Sequence, residues 1–137
     1  MKVNTLLLLA GFLVIPPSDT AAAHHSFDAE FDRDQPLEVS GSVTKVEWTN
    51  PHARIYVEAV DPDNADNPPV VWDFELGPPN GLMRRGWNRN SLQAGTAVTV
   101  NGFRSRTAPL VGNARTVTLS DGRQVFAGSS FDTGPAQ

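Results

Sequence analysis

There is no cysteine among the 137 residues. That absence excludes disulfides, thiolate metal ligands, thiol nucleophiles and lipid attachment at an N-terminal Cys, so only a packed core can hold the fold. Basic residues are scarce as well: 11 Lys and Arg stand against 15 Asp and Glu, a net charge of −4. No basic excess is present to draw nucleic acid or anionic lipid. With no basic-aromatic stripe either, the composition argues against an oligonucleotide ligand. Long apolar runs are missing, and the one candidate, Leu6 to Ile15, is too short to span a bilayer. Neither a Gly-x-Ser-x-Gly elbow nor a phosphate-binding glycine loop occurs. No nucleophile, base and orienting group fall into a set, so no enzyme is expected.

What is present begins with an export leader. Lys2 supplies a positive start, the apolar run follows, and Thr20-Ala21-Ala22-Ala23 offers small residues for cleavage before His24. Residues 1–23 therefore read as a signal peptide, with a periplasmic or secreted product and no stable membrane insertion after cleavage. Residues 24–36 read as an N-terminal arm, 37–127 as one β-domain and 128–137 as a loose tail. The arm contains Phe27, Ala29 and Phe31 alternating with acids, which favours an extended segment. Phe27 and Phe31 also stand four apart, so one helical turn is the alternative.

The β-domain is organised around residues 37–59. Leu37, Val39, Gly41 and Val43 alternate in one phase, and Val46 and Trp48 continue in the other. A period of two cannot change phase without an extra residue, so a bulge is expected near Thr44-Lys45. Thr49-Asn50-Pro51-His52 is a turn, and Ile55, Val57 and Ala59 resume the alternation with Tyr56 and Glu58 outward. A third strand presents Trp72, Phe74 and Leu76 inward and Asp73 and Glu75 outward. Gly77-Pro78-Pro79 ends it, and Asn80 is placed to cap a short helix whose inward residues are Leu82 and Met83, with Trp87 and Leu92 beyond. Gly86 terminates that helix. Strands over 96–103 and 114–119 follow, with a loop over 104–112 between them, and Asp121-Gly122 signals a two-residue hairpin into Gln124-Val125-Phe126. The order predicts an all-β fold with one short helix, a small five- to six-stranded OB-like β-barrel.

Three stretches carry a resemblance. His24-His25-Ser26-Phe27, Val46-Glu47-Trp48-Thr49-Asn50-Pro51-His52 and Gly77-Pro78-Pro79-Asn80-Gly81-Leu82-Met83-Arg84-Arg85-Gly86-Trp87 resemble a family of small exported bacterial proteins known as a domain of unknown function. Asn113-Ala114-Arg115 and Asp121-Gly122-Arg123 extend the likeness over nearly the whole mature chain. The resemblance implies no activity. In outline the chain is also similar to exported bacterial OB-fold stress proteins, a likeness of fold alone.

The candidate site is the first turn with its surroundings. Trp48, Asn50 and His52 lie in or beside it, and Arg84 and Arg85, read as lying near a helix start, would hold a carboxylate or phosphate. Arg84 and Arg85 form one constellation with Arg89, Arg104, Arg106, Arg115 and Arg123, and a solvated basic face balancing the acidic arm of Asp28, Glu30, Asp32 and Asp34 is the plainer account of them. The three histidines carry a second reading. Cleavage after Ala23 would leave His24 with a free α-amine beside its imidazole, and His25 or His52 would add a nitrogen, a donor set suited to copper. Cleavage one residue earlier would place His25 third from the amine, which can wrap a square-planar Cu(II). The arm is expected to bring that pair to His52 only if nearly extended. The expected partner is an unknown small ligand or an envelope protein. The functional readings are a periplasmic binding module, a copper-handling protein using His24, His25 and His52, and a structural accessory subunit of an envelope complex.

Overall fold

A computed structural model of the chain describes residues 27–61 and 64–128, with the side chain of Phe126 excepted. The first strand, β1 (Phe31–Glu47), is long because it serves two partners. It pairs antiparallel with β4 (Ala97–Ser105) along its first part and with β2 (Arg54–Ala59) along its second. β2 pairs in turn with β3 (Val70–Glu75), and β4 with β5 (Val111–Leu119), both antiparallel. A short parallel ladder, Asp73 to Val111, Phe74 to Gly112 and Glu75 to Asn113, joins β3 to β5. Five strands thus form a hydrogen-bonded ring, and β6 (Gln124–Phe126) adds to β5 outside it. A short helix, α1 (Pro79–Arg84), falls between the third and fourth strands, as the OB-like reading requires.

Two irregularities bend β1. The register shifts between Val43 and Lys45, where the phase of the apolar residues changes in sequence. A second shift, between Asp32 and Pro36, sets Pro36 where the ladder with β4 resumes. Proline cannot donate to a ladder, so a break in pairing is where it is tolerated. The arm is consequently not separate from the ring. Its residues 27–30 are helical, with the Phe27 and Phe31 rings 5.3 Å apart, and from Phe31 it is strand.

The ring interior is filled by the inward phase of every strand. Trp72, Phe74, Val57 and Val100 are completely buried, and Val43, Ile55 and Leu76 nearly so. Each such side chain contributes roughly 1.5–3 kcal/mol by leaving water. Gly102 allows β4 and β5 to meet closely, because a Cβ there would stand 1.6 Å from the Asn113 carbonyl oxygen. Leu82 of α1, wholly buried, and Trp87 and Leu92 beyond the helix complete the core cluster.

Several local expectations change. Asn80 does not cap α1; the cap position is Pro78, no side chain accepts there, and Pro79 occupies the first turn. Proline's fixed φ begins the helix before Asn80 can act. Met83 is half exposed, since a helix of six residues has one buried stripe and Leu82 occupies it. The helix ends in a Schellman arrangement: Gly86 N–H donates to Met83 O (3.0 Å), Trp87 N–H donates to Leu82 O (3.1 Å), and Gly86 takes φ +88°. The loop between β4 and β5 is shorter than 104–112, because Arg104 and Ser105 still pair with β1 and Val111 with β3. The last hairpin uses three loop residues, Ser120 to Gly122, closed by Leu119 N–H donating to Arg123 O at 2.8 Å.

Candidate functional site

The outer face of β1, β2 and β3 presents a continuous polar network. Outward positions alternate with the core residues, and the register sets Lys45 against Tyr56, Glu47 against Arg54, Tyr56 against Asp73 and Arg54 against Glu75. Opposite charges therefore meet directly across the strands. Arg54 Nε–H donates to Asp73 Oδ1 at 2.8 Å, and Arg54 Nη1 reaches Glu75 Oε2 at 3.5 Å. Tyr56 O–H donates to Glu47 Oε2 at 3.2 Å, and Lys45 Nζ donates to the other oxygen of Glu47. That bond with Lys45 holds the Glu47 carboxyl below its usual range and raises the Lys45 ammonium above its own. Partial burial, followed by the negative charge of Asp73, raises the Tyr56 phenol.

His52 closes the network at the turn. Ala53, which follows it, is buried: its N–H donates to Gly77 O (3.2 Å) and its carbonyl accepts from Leu76 N–H (2.8 Å). These bonds fix the turn against the end of β3. The His52 Nδ1 lies 2.7 Å from Glu75 Oε1, with the histidine side chain 41% exposed and the glutamate 14%. The hydrogen bond to Glu75 raises the His52 pKa against the opposing effect of burial; the charges of Glu75 and then Glu30 add to the rise, and Arg54 works against it. A carboxylate on Nδ1 sets the ring orientation and leaves Nε2 as the nitrogen offered outward. Nε2 has no partner among the described residues.

The charge of Glu30 is among those that raise the His52 pKa, so the described part of the arm is electrostatically coupled to the His52 end of the ring. An extended path back along β1 is not what brings it there. Closure of the ring by β3 and β5 sets Glu75 beside Asn113, which pairs with Phe103, whose neighbours Arg104 and Ser105 pair with Asp32 and Phe31. Arg106 then fastens the arm: Arg106 N–H donates to Glu30 O (2.9 Å), its Nε donates to Asp28 O (2.9 Å) and its Nη2 to Asp32 Oδ1 (3.0 Å). Arg33 bonds Asp28 at 2.7 Å, so the acidic arm is in part balanced by arginine, as the plainer account of these charges supposes.

The other sequence-derived candidates separate. Trp48 is partly buried and packs on the core beside Trp87 and Leu92 around a cavity of only about 10 Å³, too small for a ligand. Asn50 is exposed, and the bond joining it to Pro51 is cis. Arg84 and Arg85 stand at the end of α1, not near its start, so carbonyls and not amides surround them. Arg84 is exposed, and Arg85 Nη1 donates to Gly128 O at 2.7 Å. The anion grip expected of that pair loses its amide donors. His24 and His25 lie outside the described residues. Among the described residues no group of three or more His, Cys, Asp or Glu could hold a metal ion. Lys45, Glu47, Arg54 and Tyr56 are not among the site residues expected from the sequence, although Arg54 and Tyr56 alternate outward in step with Asp73 and Glu75.

The ring of strands, the helix between the third and fourth and the outward polar face define a small all-β domain of OB-like arrangement. The chain belongs to the Family of unknown function (DUF6152), which matches residues 13–114. No curated protein and no solved structure matches it.

Proposed function

We propose that the chain is an exported, non-catalytic binding module, and that it takes its ligand at the turn end of the ring, around His52. One observation carries this reading: His52 is held by Glu75 at 2.7 Å while its second ring nitrogen has no partner among the described residues. A rigidly oriented, half-exposed imidazole at the mouth of a fully packed ring is a preorganised contact for something outside the chain. The packed interior rules out a ligand held within the ring, so recognition is by surface side chains. The test is a thermal-shift screen of the mature protein against a small-molecule set, run beside His52→Ala. A compound that raises the Tm of the parent and not of the variant supports the reading; shifts indifferent to His52 remove it.

Copper handling is the second reading, favoured by the same hydrogen bond. A metal-binding histidine ordinarily donates its other N–H to a carboxylate, and Glu75 occupies that place. Residue 25 stands five positions before Glu30, within about 17 Å of chain reach. Titrating mature protein with Cu(II), beside His24→Ala and His52→Ala, tests it. Affinity weaker than about micromolar, or unchanged in both variants, removes copper as the ligand. The intact mass of the exported protein, which names the first mature residue, decides which N-terminal donor set exists.

A further inference from the structure

Arg115 is a half-buried arginine that the fold leaves without an oxygen partner. Among the described residues its side chain makes no hydrogen bond and no ion pair. It rests instead on an aromatic ring, its guanidinium carbon 5.6 Å from the centre of Phe103. A bulge puts it there. Asn101 pairs with Thr116 and Gly102 with Ala114, so Arg115 is an extra residue of β5 with no partner in the ladder to β4. Such a bulge re-aims a side chain, and here Arg115 and Thr116 line the same cavity. The backbone of the bulge is pinned by the end of the domain: Ala127 N–H (2.7 Å) and Gly128 N–H (3.2 Å) both donate to the Arg115 carbonyl.

That cavity is a surface groove of about 570 Å³ on the outer side of β1, β4 and β5, a volume suited to a small molecule. The register builds its walls. Leu37, Val39 and Val100 turn into the core, so Pro36, Glu38, Asn101 and Phe103 turn outward. One cross-strand row is apolar, with Pro36 opposite Phe103. The next is polar, with Glu38 opposite Asn101 and Asn101 opposite Thr116. Glu38 is exposed at the far wall, with β4 between it and Arg115. Arg115 is the groove's one cation and Glu38 its one acid. None of the residues lining it belongs to the His52 network.

We infer that this groove binds a small organic monoanion: a monocarboxylate with an apolar or aromatic body. Arg115 pairs the carboxylate, and Pro36 and Phe103 take the body. A guanidinium can only donate, and its planar fork matches a carboxylate in two parallel bonds. Contact with the Phe103 ring steadies that fork without supplying an acceptor oxygen. Thr116, next in the chain, adds a hydroxyl to the same end of the groove. Glu38 sets the limit on charge. A second carboxylate on the ligand would face it unpaired, so dianions are disfavoured. Nothing here depends on the His52 site, since no wall residue is shared.

Hydrocinnamate is the probe, with its uncharged amide, acetate and inorganic phosphate as the comparison arms. Each is titrated into the exported protein and followed in nitrogen–proton correlation spectra. The expected result is a saturable shift of the backbone amides of Asn101, Phe103 and Thr116 with hydrocinnamate. Binding of the amide, which lacks the charge, and of acetate, which lacks the body, should be weaker by about tenfold or more. Arg115→Gln should weaken hydrocinnamate to a similar degree, and unmoved amides in β2 and β3 of that variant report that the fold is intact. Arg115→Lys, which keeps the charge and loses the fork, should fall between. Phenylsuccinate, a dianion of like body, should bind more weakly than hydrocinnamate and gain in Glu38→Gln. No saturable shift with hydrocinnamate overturns the inference, as does a shift that survives Arg115→Gln. Equal binding of the amide overturns the assignment to carboxylate, and tighter binding of phosphate overturns the organic body. A phenylsuccinate affinity indifferent to Glu38→Gln overturns the restriction to monoanions.

Discussion

His52 couples the candidate site to pH through one hydrogen bond. Its folded pKa lies above the unfolded value, the bond to Glu75 being the largest cause, with burial and the charge of Arg54 opposing it. The group binds its proton more tightly when folded, so its contribution is complete below the unfolded pKa of about 6.5 and disappears as pH rises through the folded value. Parent and His52→Gln should therefore differ most between about pH 5 and 6.5 and converge in alkaline solution, followed by urea denaturation. The difference should stay below about 1 kcal/mol, since the histidine side chain is 41% exposed and water screens the pair. A gap that widens with pH would show that Glu75 is not its partner. The same preference for the proton opposes metal uptake, so if copper is the ligand its affinity should climb with pH.

Among the strands, close approach and arm docking are the features to break. Gly102→Ala forces a methyl group to within 1.6 Å of the Asn113 carbonyl, backbone that cannot swing aside as a side chain can. The two strands must part, and a loss of at least about 2 kcal/mol in denaturant unfolding is expected. Arg106→Ala removes the two side-chain bonds to Asp28 and Asp32 and keeps the backbone bond from residue 106 to Glu30 O. Its cost to global stability should be modest, about 1 kcal/mol, because the side chain is 43% exposed. Amide exchange at residues 27–32 should nevertheless accelerate strongly while β2 and β3 keep their protection. Much of this element layer was legible from the amino acids. The bulge at Val43 to Lys45 shows as a break in the two-residue period, and the inward faces of β2 and β3 show as plain alternation. The helix start was misread because Asn80 has the chemistry of a cap, while Pro78-Pro79 decides the backbone before it. The lesson extends to Arg84 and Arg85: two residues' error in a six-residue helix moves a side chain from the amide end to the carbonyl end.

For the molecule as a whole, α1 completes the core cluster. Leu82 is buried completely, so Leu82→Ala should lower the stability of the entire domain by about 2–5 kcal/mol in one cooperative transition. Partial melting of the helix with the ring intact would argue against that role. The order of elements points to a closed sheet, but the pair of strands that closes it has no sequence signature. The parallel ladder joins residues 73–75 to 111–113, and no turn residue or local pattern marks two segments so far apart as neighbours. For that reason the approach of the arm to the His52 end of the ring has no local signature in the sequence. The way β5 divides its outer side has one more consequence. Residues 111–113 are taken by β3, and 116–118 only by β6. A chain cut after Gly122 would leave the edge of Thr116 to Thr118 that faces away from β4 as an unpaired template, and strand exchange between such molecules is the expected outcome.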